Sequence, residues 1–155
     1  MNWIFPALLL AAVLHILEEY VYPGGFPDFM KRMAPRFASF ITTGFAVTIN
    51  GGFLLLCLFA AALGRSTPLF SLSVAALLFV NGLTHFLASV RIKGYAPGVI
   101  TGVLLYIPLG VMAYSLFLRA GELSPGQIVL SILIGVAYQA VPLGVLASAS
   151  ISGQR

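Results

Sequence analysis

Five stretches of this 155-residue chain are each long and apolar enough to cross a lipid bilayer. A spanning helix needs about 20 mostly apolar residues. The stretches run from Trp3 to Tyr22, Phe40 to Leu63, Leu69 to Val90, Val99 to Leu118 and Gln127 to Ser148. Pro23-Gly24-Gly25 stops the first, Gly64-Arg65-Ser66 the second and Arg91-Ile92-Lys93-Gly94 the third. Arg119 to Gly126 separates the fourth from the fifth. Only 8% of the residues are charged, against about 25% in a soluble domain, so too few charges remain to clothe a water-facing surface. The expectation is an all-α membrane protein, a single domain over residues 1–155 built as a bundle of about five transmembrane helices.

The first run does not read as a cleaved signal peptide. It lacks a basic leader and a small-x-small cleavage site, and it carries His15, Glu18 and Glu19 in its distal part. The chain has 8 Lys+Arg against 4 Asp+Glu, but these cations lie mostly in short connections, where they set membrane orientation and give no reason to expect nucleic-acid binding. Lys31, Arg32, Arg36, Arg91, Lys93 and Arg155 fall on one side, Arg65 and Arg119 on the other. That bias predicts an outward N-terminus and a cytoplasmic C-terminus. Cys57 is the only cysteine, so no intramolecular disulfide forms. The connection from Pro23 to Ser39 combines Phe26, Phe29, Met30 and Phe37 with three cations and reads as an interfacial segment.

Placed on this topology, the polar residues gather at one level. The first helix brings His15, Glu18 and Glu19, the second Thr42, Thr43, Thr48 and Asn50, and the third Asn81, Thr84 and His85. The fourth starts there with Tyr95, Pro97, Gly98 and Thr101, and Gln139 lies near the middle of the fifth. Ionisable groups inside a bilayer face the bundle interior or a cavity. Glu18 and Glu19 follow His15 at i+3 and i+4 and straddle its face. Asn81 precedes His85 by four. Two adjacent carboxylates in low dielectric need a proton, a metal ion or a pairing cation such as Arg91.

His15-x-x-Glu18-Glu19, a second histidine at His85 and Tyr95-x-Pro97-Gly98 resemble the signature of the HXXEE domain family of small membrane proteins. The resemblance runs from the first helix into the fourth. It implies an enzyme-like site and carries the site residues without a substrate or a reaction.

Three readings of the site follow. The first is a metal-assisted enzyme, a hydrolase of a lipid or hydrophobic chain. In it, His15, His85 and one of Glu18 or Glu19 hold Zn²⁺ or Fe(II), and the second glutamate is a general base on the bound water. Asn81 orients His85 or donates to a developing oxyanion. The helix start at Pro97-Gly98, with Tyr95, Thr101, Arg91 and Lys93 nearby, suits an anionic headgroup, although a proline there also serves ordinary helix initiation. The second reading is metal-free acid–base chemistry by the glutamate pair: an isomerase, a cyclase or an intramembrane hydrolase. The third is a proton or ion transporter, disfavoured because no polar trail continues into the outer half. The small-residue runs from Gly94 to Gly102 and from Ala140 to Ser148 suit close helix packing, within the bundle or in a homo-oligomer.

Overall fold

In a computed structural model of the chain, the described residues are 3–21 and 24–152. Tyr22, Pro23 and Arg155, which entered the expected first boundary and the charge count, lie outside them. The elements are α1 (Ile4–Val21), α2 (Gly25–Met33), α3 (Thr43–Leu63), α4 (Pro68–Ile92), α5 (Val99–Thr101), a π-turn (Gly102–Tyr106), α6 (Ile107–Arg119) and α7 (Pro125–Ser152). Among the described residues there is no strand. α5, the π-turn and α6 form one rod, so five rods are long and apolar enough to cross a membrane.

Local chemistry sets the boundaries. α3 begins at Thr43 because the Thr42 hydroxyl accepts from the Phe45 N–H at 3.1 Å, satisfying one of the unpaired amides of the first turn. Pro68 opens α4 at a position where its missing N–H costs nothing. α4 ends where Lys93 turns left-handed (φ 52°) and Gly94 N–H reaches back to the Ser89 carbonyl. α7 starts on a capping box: Gln127 N–H donates to Ser124 Oγ, and Ser124 N–H donates to Gln127 Oε1. The π-turn sits just before Pro108, which has no N–H for the Leu104 carbonyl; a wide turn, with Ile107 N–H on Gly102 O, accommodates that loss.

α4 is the central helix, 56% of its apolar window being buried, and it packs against α1, α3, α6, the π-turn and α7. α7 packs chiefly on α4 and is only 11% buried. Outward faces carry large apolar side chains, among them Val21, Leu104 and Leu133, as lipid contact requires and water contact penalises.

The bundle has two unlike halves. One is solidly packed: Ile4, Phe5 and Leu8 of α1, Cys57 and Ala60 of α3, Leu72 to Leu78 of α4, and Ala113 and Phe117 of α6 form its core. Helix backbones meet closely there, and a Cβ on Gly135 of α7 would lie 2.5 Å from Ala76 Cβ and 2.7 Å from the Ser73 carbonyl. The other half opens around a cavity of about 660 Å³ lined by α1, α2, α3, α4 and α7. α2 covers its end as an amphipathic cap, with Phe29 buried inward and Lys31 half exposed on Asp28.

Candidate metal centre and cavity

The site forms where α1, α4 and the Pro97–Thr101 segment converge. His15 and Glu19 share a face of α1 one turn apart, and α4 brings His85 against them. All three are buried, at 2%, 4% and 5% exposure. The imidazoles meet edge to face with centroids 4.7 Å apart. Tyr106 packs on His15 and Phe26 of α2 on His85, at 4.4 and 5.3 Å between centroids. The His15 and His85 Nε2 atoms lie 3.5 and 3.4 Å from one oxygen, Glu19 Oε1. One ligand atom from each of the three residues fits within a 4.8 Å span.

The far sides of the rings determine what those nitrogens present. Glu18 points the other way from Glu19, toward the start of α5. Its Oε1 accepts from the Tyr95 hydroxyl at 2.9 Å and the Ile100 N–H at 3.0 Å. Its Oε2 accepts from the Thr101 N–H at 2.7 Å and the Thr101 hydroxyl at 2.5 Å. Four donors occupy the four lone-pair sites of the carboxylate. Thr101 therefore spends its single hydrogen on Glu18 and must accept from His15 Nδ1, 2.8 Å away. In the neutral imidazole that leaves Nε2 as the nitrogen without a hydrogen, and it is buried and without a hydrogen bond. His85 turns its Nδ1 edge to the Pro97–Gly98 turn, 2.9 Å from where a Cβ on Gly98 would lie, so its Nε2 is the nitrogen that faces Glu19. Two imidazole nitrogens and a carboxylate oxygen thus converge from three buried side chains.

Gly98 makes this convergence sterically feasible. It is left-handed (φ +87°), and a Cβ there would sit 2.6 Å from His15 Cε1 and 2.9 Å from His85 Nδ1. Only glycine supplies both the backbone conformation and the space. Gly82 and Gly102 likewise let α4 and the π-turn touch, a Cβ on Gly82 falling 2.7 Å from the Gly102 carbonyl.

The site residues expected from sequence divide into two groups. His15, Glu19 and His85 come together. Asn81 stands on the cavity wall, where its Nδ2 donates to Gln139 Oε1 at 3.4 Å and its Oδ1 is buried without a partner. Glu18 lies apart from the three, so its expected role as second ligand or as base on a bound water does not fit its place. Tyr95, Pro97, Gly98 and Thr101 position Glu18 and the histidines. The helix start expected to receive an anionic headgroup already receives Glu18, and Arg91 and Lys93 are exposed and outside the cavity lining.

Three further residues belong to the picture. Asn50 of α3 donates to Glu19 Oε2 at 3.5 Å, and Gln139 of α7 pairs with Asn81. The sequence placed both at this level but gave no sign of their partners. Tyr106 was not foreseen at all. In an α-helix it would lie about 140° from Thr101, and the π-turn brings it round to His15.

The model of a family described as proteins of unknown function with an HXXEE motif matches residues 3–113. The chain belongs to the HXXEE family. The match spans α1 to the middle of α6 and so contains His15, Glu18, Glu19, His85 and the whole Tyr95–Thr101 segment; α7 lies beyond it. No curated protein and no solved structure matches the chain. In this HXXEE protein the motif letters divide by direction. The histidine and the second glutamate face inward, and the first glutamate fastens the motif to α5.

Proposed function

We propose that this HXXEE protein is an integral membrane enzyme that holds a divalent metal ion on His15, Glu19 and His85 and hydrolyses a lipid or other hydrophobic substrate lodged in the adjoining cavity. The observation that carries the reading is the meeting of two imidazole nitrogens and a carboxylate oxygen from three buried side chains, all of them acceptors when both rings are neutral and protonated on Nδ1. Lone pairs at 3.4 and 3.5 Å repel unless a cation lies between them. A proton would satisfy one such contact, whereas a metal ion satisfies all three. Metal bonds of about 2.0–2.1 Å arranged tetrahedrally give ligand-to-ligand edges of about 3.3–3.4 Å, close to the two His–Glu separations. Two neutral imidazoles and one carboxylate form a set that suits zinc with a fourth position open, and His15 is oriented from behind by Thr101, as metal-binding histidines usually are by an outer partner.

The ion would supply Lewis acidity and lower the pKa of water in that open position. The chain's own residues do the rest. Thr101, locked by Glu18, holds His15 Nε2 toward the ion, and Gly98 lets both rings sit against the turn. With Glu18 saturated, Glu19 Oε2 is the basic oxygen left beside the cavity, and Asn50 steadies it. The mostly apolar walls exclude bulk water and receive a hydrophobic chain. Lys31, Arg32, Arg36, Arg91 and Lys93 lie in connections on the side of the chain that holds the cavity and Arg65 and Arg119 in those on the other; that bias supports a cytoplasmic cavity half with the N-terminus outside.

The first test is metal content by mass spectrometry on protein purified in mild detergent. We expect near-stoichiometric divalent metal in wild type and none in His15→Ala, His85→Ala or Glu19→Gln variants that keep their helical circular dichroism. Wild-type protein still metal-free after supplementation with zinc and iron would overturn the reading.

A further inference from the structure

The cavity also constrains the substrate. We infer that its ligand is an uncharged single-chain lipid whose head donates hydrogen bonds, such as an acyl ester of glycerol or a primary fatty amide, and not a phospholipid or a fatty-acid anion. This inference rests on the hydrolase reading for the reaction but on separate residues for the ligand.

Three features converge on it. First, the cavity lining contains no lysine or arginine; its ionisable members are His15, Glu19, His85 and the Tyr138 phenol. A phosphate or carboxylate carried to this depth would meet no cationic side chain, and burying such a charge unpaired costs several kcal/mol. A divalent ion with one carboxylate and two neutral imidazoles would add only a single net positive charge, enough to polarise a carbonyl. Second, the places able to hold an anion are elsewhere or in use. Glu18 fills the α5 N-terminus, Lys31 pairs with Asp28, and Arg32, Arg36, Arg91 and Lys93 lie outside the lining. Third, what the cavity offers to a head group is neutral. Asn50, Asn81 and Gln139 present carboxamides from three helices, and Asn81 Oδ1 is a buried acceptor without a partner. A buried acceptor left unpaired is destabilising, so a ligand bringing an O–H or N–H gains by satisfying it. The remaining walls, including Phe45, Phe53, Leu56 and Leu146, are apolar, and about 660 Å³ lies within the range that accommodates one drug-sized molecule.

Hydrolysis of such a ligand is balanced without any further co-reactant. Water adds across the acyl carbonyl, the ester C–O or amide C–N bond breaks, and a fatty acid leaves with glycerol or ammonia. The fatty acid, newly anionic, is the species the cavity holds least well, so the charge inventory that admits the substrate also favours release of the product.

The test uses two non-hydrolysable probes with one and the same chain: a long-chain alkylglycerol ether and its phosphate ester. Binding is measured by native mass spectrometry and calorimetry on the full chain in detergent, after the metal has been stripped with a chelator. We expect the uncharged ether to bind at least about tenfold tighter, the difference that about 1.4 kcal/mol produces. Asn81→Leu and Gln139→Leu should each erase most of that preference while leaving metal content unchanged, and Gln139→Lys should bring the phosphate probe into the cavity. Equal or tighter binding of the phosphate probe to wild type, no binding of either probe, or an undiminished preference in both leucine variants would overturn the inference. Ether selectivity in a protein that never carries metal would overturn the hydrolase reading alone. A metal-loaded protein that prefers the phosphate probe would overturn this inference alone.

Discussion

The same helices that close tightly at one end of the bundle splay at the other. In the packed half, α1, α4 and α6 interlock through Phe5, Leu8, Leu72, Leu78 and Phe117, all at most 2% exposed. In the open half α1 and α4 carry His15, Glu19 and His85, and beyond them lies the cavity. The packed half resists change because each added or lost methyl alters close contacts. The open half spends stability on buried polar groups whose balance depends on each partner staying in place. The adjacent carboxylates repeat the contrast on a smaller scale: Glu18 is satisfied by protein donors, while one oxygen of Glu19 faces two imidazole nitrogens.

Separate damage to the two halves would sharpen this comparison, and crossed effects would break it. The largest expected effect is on metal binding: Glu19→Gln or His85→Ala should weaken zinc affinity by more than about 100-fold, beyond the range of outer residues, with the melting temperature of the metal-free protein little changed. A chelator-competition titration reads this directly, and a metal-free form that melts far below wild type would mean the three residues are structural.

Next comes Gly98→Ala, which keeps every ligand but drives a methyl into both imidazoles. It should cost at least as much affinity as an outer-residue change, about 10–100-fold, and unchanged affinity would show that the histidines have room to move. Thr101→Val should fall within that same range by releasing His15 Nδ1, with Thr101→Ser restoring most of the loss. A valine variant as tight as wild type would remove Thr101 from the positioning role.

In the packed half, Gly135→Ala should lower stability by about 1–3 kcal/mol through overpacking against Ala76 and the Ser73 carbonyl, leaving metal affinity intact. Thermal unfolding in detergent and the same titration decide it together. The smallest effect belongs to Arg65→Ala, which removes the partly exposed pair with Glu122 at the packed end. It should cost at most about 1 kcal/mol and nothing in metal binding; a change in zinc affinity there would tie the two ends together.

Much of this arrangement was legible in the residues. Apolar length marked the five rods, since spanning helices are recognised by exclusion of charge, and the limits needed only small adjustment by Thr42, Pro68 and Ser124. The i+4 spacing of His15 and Glu19, with a second histidine at matching depth, announced the three-residue group. The sequence could not say which glutamate faces inward. Positions i+3 and i+4 flank one face equally, and the choice depends on how α1 is rotated against α5. It also gave no warning that the start of α5 is already filled, because that depends on Glu18 reaching across to backbone amides some 80 residues away in the chain. The cavity was equally hidden, being a property of helices that part and not of any motif.

α7 lies beyond the family match and packs chiefly on α4, yet Tyr138, Gln139, Pro142 and Leu146 make one wall of the cavity. The three converging acceptors and everything that orients them belong to the preceding helices. The three candidate ligands and one chamber wall are therefore carried by separable lengths of chain. Replacing the last helix would refit the room without touching the hearth, so change in what is admitted needs no change in the residues that meet it.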